Sequence, residues 1–134
     1  MIDIVVVGAL LVVASGLVVA SRRRDGHFRL APAAHLSESD LGHALGGRAT
    51  FVQFSSAVCA TCTQVRRVLD RVASAHAGVT HVEVSSEDRP DLVRRLGIMR
   101  TPTVLLLDRE GTITSRTTGA IRPEQALAAL GSRP

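Results

Sequence analysis

Lysine, tryptophan and tyrosine are absent from this chain, phenylalanine occurs only 3 times, and cysteine only 2 times. Each shortage closes off a class of function. With aromatics at 2%, a single-stranded nucleic acid has no stacking platform, and the 16 basic residues, all arginine, are scattered along the chain. The formal net charge of +4 therefore does not mark a nucleic-acid-binding protein, and no nucleic-acid partner is expected. A core without Trp or Tyr has to be aliphatic, and an apolar content of 46% supplies the Val, Leu, Ile and Ala for it. A small secreted scaffold would spread several cysteines to close long loops. Here both lie in Cys59-Ala60-Thr61-Cys62, a loop too short to constrain the unfolded chain much, so the pair is chemical and not architectural. A structural zinc takes four ligands, a second CxxC is missing, and the five histidines show no ligand spacing relative to the cysteines. No metal within one chain and no cofactor is expected; only a metal shared between two tethered chains escapes this count.

What the chain does have is a long uncharged run. Ile4 to Ala20 carries no ionisable side chain. As a helix it spans roughly 26 Å, enough to cross a hydrocarbon core of about 30 Å. A cleaved signal peptide is the rival reading, with Val18-Val19-Ala20 as a loose cleavage site. The charge order opposes it: Asp3 precedes the run and Arg22-Arg23-Arg24 follow, whereas signal peptides carry their positive charge first. By the positive-inside rule the arginines stay on the cytoplasmic side, so the expectation is a single-pass cell-membrane protein with its domain facing the cytoplasm.

The remaining chain divides into a basic juxtamembrane linker at 22–34 and a domain at 35–134, after the anchor at 1–21. A short strand is expected near Phe28–Ala31 within the linker. Ser37-Glu38-Ser39-Asp40 reads as a helix start that runs to a stop at Gly46-Gly47. Thr50–Phe54 is β-branched and aromatic, a strand. From Cys59 the period changes: Cys62, Val65, Leu69, Val72 and Ala75 form one stripe, with Arg66, Arg67, Asp70 and Arg71 largely off it. That predicts an amphipathic helix whose first turn holds the cysteines and which Gly78 ends. A strand at Val79–Val84, a short helix at Pro90–Leu96, an apolar strand at Thr103–Leu107, a hairpin strand at Thr112–Thr118 and a last helix from Pro123 to near Leu130 complete the order.

The chemistry follows from the placement of the pair. A thiol has to ionise to attack a disulfide, and free N–H groups at a helix N-terminus stabilise the thiolate. Cys59 at that end is the expected nucleophile, and Cys62, one turn further in, the resolving thiol. Thr61 is placed either to hydrogen-bond sulfur or to cap the helix, and Arg66 and Arg67 either raise the local potential or form a solvated face.

With a CxxC at a strand-to-helix junction, Thr101-Pro102 before the second apolar strand, and Gly119 after the last strand, the chain resembles the thioredoxin superfamily from Leu36 to Gly131. The resemblance implies an α/β fold, a thioredoxin-like three-layer sandwich with a mixed central sheet, preceded here by one transmembrane helix. It also implies a cis peptide bond before Pro102, and a substrate groove in which Thr101, Pro102 and Gly119 bind an extended segment. Two departures stand out. The family's tryptophan before the first cysteine is Val58, and its buried acidic residue falls on Gln53. The lysine that often faces that acid falls on Glu83, which reads either as proton acceptor for Cys62 or as an exposed strand residue. The expected function is a membrane-anchored thiol–disulfide oxidoreductase acting through Cys59 and Cys62. Its expected partners are protein disulfide substrates, membrane proteins among them, and an electron-donating reductase or thiol pool. Two alternatives are an extracytoplasmic oxidase, isomerase or cytochrome-maturation factor, and a non-catalytic redox sensor or assembly module.

Overall fold

In the computed structural model, residues 1–131 are described. A helix α1 (Ile2–Arg24) leads into a strand β1 (Arg29–Leu30) and a single-turn helix α2 (Glu38–Leu41). There follow β2 (Ala49–Ser55), α3 (Ala60–Ala75), β3 (Val79–Ser85), α4 (Pro90–Arg95), β4 (Thr103–Asp108), β5 (Ile113–Thr118) and α5 (Pro123–Gly131). None of the residues of α1 is buried, and the helix is long and apolar enough to be a candidate membrane span.

The five strands form one mixed sheet in the order β1-β5-β4-β2-β3. β2 and β3 run parallel, joined by α3 as the crossover, while β4 and β5 pair antiparallel as a hairpin. Every residue of β2 is buried. Such a strand has to be covered on both faces, which explains why its composition lacks a polar alternation. One cover is α3 with α5, whose Val65, Leu69, Val72, Ala126 and Leu130 pack on Phe51, Val104 and Leu106. The other holds Leu36, Leu92, Leu96 and Ile98 against Val52, Phe54, Leu105 and Leu107. The architecture is the expected three-layer α/β sandwich.

Local differences from the sequence reading have local causes. α2 stops at Gly42 instead of Gly46, because Gly42 adopts φ 63° and closes the turn. Ser37 accepts the Asp40 N–H through its hydroxyl, and the Asp40 carboxylate accepts the Ser37 N–H, a reciprocal cap on that turn. The sheet also begins inside the 22–34 segment: β1 pairs with β5, and the Phe28 ring lies 6.1 Å from that of Phe51.

Candidate active site

The N-terminus of α3 carries the pair. Cys59 is the N-cap residue, with extended backbone, and its Sγ accepts the Cys62 N–H at 3.2 Å. A sulfur in that position meets one of the orphan N–H groups and the positive end of the helix dipole, both of which favour its thiolate. The two cysteines are joined as a disulfide with Cα atoms 5.3 Å apart. Cys59 is half-buried and Cys62 buried, so an incoming sulfur meets Cys59 first. The cap is the Cys59 sulfur itself; Thr61 instead lines the neighbouring cleft.

The loops around the pair are tied to one another. The Ser56 and Thr101 hydroxyls are 2.9 Å apart, linking the segment before Cys59 to the segment before Pro102. The Thr101–Pro102 peptide bond is cis. The Gly119 N–H donates to the Pro102 carbonyl at 3.0 Å, bringing Thr101, Pro102 and Gly119 to one rim. Gly119 has φ 81°, and a Cβ there would meet the Asp25 carboxylate at 2.5–2.8 Å. Asp25, the first residue after α1, thus closes against the same rim, helped by an ion pair with Arg100 at 3.4 Å. Two apolar side chains stand almost fully in solvent beside the pair and the rim, Val58 at 97% and Met99 at 92% exposure.

Behind the cysteines, Gln53 is fully buried and donates to the Cys62 carbonyl at 2.8 Å and to the Ser55 hydroxyl at 3.0 Å. The side chain that reaches Gln53 from β3 is His81, whose Nε2 lies 3.0 Å from Gln53 Oε1. Glu83, two residues along the same face, turns to Arg66 on α3 with a two-point contact of 2.5 and 2.6 Å. Glu83 still borders the cleft of about 300 Å³ that holds Cys59 and Cys62. Glu87, on the loop after β3, borders it too and accepts the Ala57 N–H at 3.1 Å, a bond that lowers its carboxyl below the ordinary range. His81, Asp70 and Glu87 were not legible as site residues. The one signal available was that His81 and Glu83 alternate on β3 and so share a face, the face that meets α3.

A family model described as a thioredoxin-like domain matches residues 43–133. No curated protein matches the chain. Among solved structures, chloroplastic thioredoxin z is 26% identical with a TM-score of 0.57, over 63% of this chain and 77% of that one. Thioredoxin-2 of the malaria parasite, a component of its protein secretion machinery, superposes with a TM-score of 0.62 at 17% identity. That match covers 78% of this chain and all of the other, and at that identity it speaks for the fold alone. A disulfide-capable pair at the head of α3 on this fold supports a function of the thiol–disulfide oxidoreductase kind. Motif, topology and matched span agree, and the chain belongs to the thioredoxin superfamily.

Proposed function

We propose that this protein is a membrane-anchored thioredoxin-like oxidoreductase that reduces or exchanges disulfides of protein substrates near the membrane through Cys59 and Cys62. The observation that carries the reading is the Cys59 sulfur accepting the Cys62 N–H at the start of α3, after a segment tied to the one before Pro102 through the Ser56 and Thr101 hydroxyls. In the dithiol form Cys59 attacks a substrate disulfide as its thiolate; one substrate sulfur leaves with the electron pair, and a mixed disulfide remains. Cys62 loses its proton and attacks Cys59, the second substrate sulfur departs, and the protein is left with the internal disulfide seen here. A reductase or thiol pool returns two electrons for the next cycle. Thr101, Pro102 and Gly119 hold an extended substrate segment at the rim, and the exposed Val58 and Met99 offer it apolar contact.

The membrane part of the proposal rests on α1 and on where it ends. A cleft of about 840 Å³ is bordered both by Val19, Arg22 and Arg23 of α1 and by Thr61, Thr101 and Pro102. Only Asp25–Phe28 separate the helix from β1, and Asp25 and Gly26 are bonded to Gln125 and Thr118. A short, docked connection of this kind presents the exchange site to disulfides close to the bilayer, where tethering raises their effective concentration. Arg22, Arg23 and Arg24 in the last turn of α1 favour a cytoplasmic domain, whose redox poise keeps the pair reduced.

The test uses the full chain in detergent micelles and in cells. We expect it to reduce insulin disulfides, with Cys59→Ser inactive and Cys62→Ser halted at a mixed disulfide. A membrane-impermeant thiol reagent is expected to spare the pair in intact cells. Insulin reduction that survives Cys59→Ser would overturn the chemistry, and labelling in intact cells would overturn the orientation.

A further inference from the structure

Gln53 cannot accept or release a proton, yet the position behind the cysteines is occupied by a continuous hydrogen-bonded line. It runs from the Cys62 carbonyl through Gln53 and His81 to Asp70 on α3. The bonding capacity of each group determines where the protons in this line lie. Both hydrogens of Gln53 Nε2 are used, one on the Cys62 carbonyl and one on the Ser55 hydroxyl. Gln53 Oε1 is therefore the acceptor toward His81, and His81 Nε2 is the donor. At the other side of the ring, Nδ1 lies 2.6 Å from Asp70 Oδ1. Asp70 thus holds the ring from α3, with the His81 side chain 5% exposed and the aspartate 59% exposed.

We propose that His81, held by Asp70, is a positioning residue of the exchange reaction: it orients the Gln53 amide under Cys62 and so fixes the first turn of α3 from which Cys62 attacks. The inference rests on the reading of Cys62 as the resolving thiol. Orientation follows from the amide: with Oε1 held by His81, its NH₂ has to point at the Cys62 carbonyl, which anchors the first turn of α3. The anchor matters at the second step of the cycle. There Cys62 gives its proton to solvent, its sulfur bonds to Cys59, the bond from Cys59 to the substrate sulfur breaks, and that sulfur leaves with the electron pair. An amide free to turn would release the Cys62 carbonyl and loosen that turn, so Cys62 would reach the Cys59 sulfur less often.

The experiment is stopped-flow reaction of the reduced full chain, in micelles, with an aromatic disulfide whose released thiolate absorbs in the visible. The first release reports attack by Cys59, and the second reports resolution by Cys62. His81→Leu removes the donor that holds Gln53 Oε1, whereas His81→Gln keeps one. We expect the second phase of His81→Leu to be about three- to tenfold slower than that of the wild type. The first phase keeps its wild-type rate. His81→Gln is expected to restore the wild-type second phase, and Asp70→Ala, at an exposed position, to slow that phase by freeing the ring. A second phase at the wild-type rate in His81→Leu, or in Asp70→Ala where His81→Leu does not fold, would overturn the proposal. A protein that releases no thiolate in either phase would overturn the exchange reading itself, and the proposal with it.

Discussion

Gln53 and Glu83 differ in what surrounds them more than in what they are. Both lie on the face of the sheet under α3, but Gln53 is in the interior strand β2 and fully buried, whereas Glu83 is on edge strand β3 within reach of Arg66. The Arg66–Glu83 pair is open to water, so its contribution to stability is about 0–1 kcal/mol despite its geometry. Gln53 is different because each of its partners is left unsatisfied when it is removed. Gln53→Leu is expected to destabilise the protein by about 1–3 kcal/mol, since the Cys62 carbonyl and the His81 N–H lose their bonds at a fully buried position. Urea unfolding checks this as a lower midpoint with an unchanged slope. Glu83→Gln, by contrast, is expected to leave the midpoint nearly in place.

At the scale of the element, α2 shows how one turn can be held by its ends. A helix of 4 residues has no propagation to stabilise it, so its formation depends on the reciprocal bonds between Ser37 and Asp40. The Ser37 N–H, with help from the Arg95 guanidinium, holds the Asp40 carboxyl well below the usual carboxylate range. A depressed value means that the folded state favours the ionised form. Its contribution is therefore fully present above the ordinary value of about 3.9 and fades as the pH falls below it. Asp40→Asn is expected to cost about 1 kcal/mol at pH 7, with the gap to the wild type closing in acid below about pH 4. Thermal unfolding of both proteins across that range is the measurement. α3 is governed differently: its stripe of Cys62, Val65, Leu69 and Val72 is buried against the sheet, so packing holds it while the cap serves chemistry.

For the whole molecule, the sheet divides the interior into two cores that share no side chains. Leu69 belongs to the core under α3, Leu92 to the one under α4, and both are fully buried. Each truncation to Ala is expected to cost about 2–5 kcal/mol. Because the sheet stands between them, the double variant is expected to lose the sum to within about 0.5 kcal/mol. Denaturant unfolding of the two single variants and the double variant measures this, and a large coupling would mean that the sheet transmits strain between its faces. The same layering explains how the site is held. β2 delivers Gln53, α3 the cysteines, and the β4–β5 hairpin brings Pro102 to Gly119, so the rim is assembled from segments far apart in the chain.

The candidate membrane helix, the alternation of strands and helices, and the Cys59–Cys62 pair at a strand-to-helix junction were all determined by sequence, because each depends on neighbours within a few residues. A run of apolar side chains, a change of period and a cysteine at a helix start are local patterns. What only the tertiary structure decided is which side chain meets which across the sheet. Parallel pairing sets Gln53 opposite Glu83 in register, yet side chains lean along the strand, and His81 is the one that reaches the amide. Gly42 ended α2 before Gly46 because the backbone there turns left-handed, which no composition signal distinguished from the later glycines. Asp25 meets Gly119 although nearly the whole domain lies between them along the chain, a contact created by the packing of α1's exit against the last strand and not encoded in any local window.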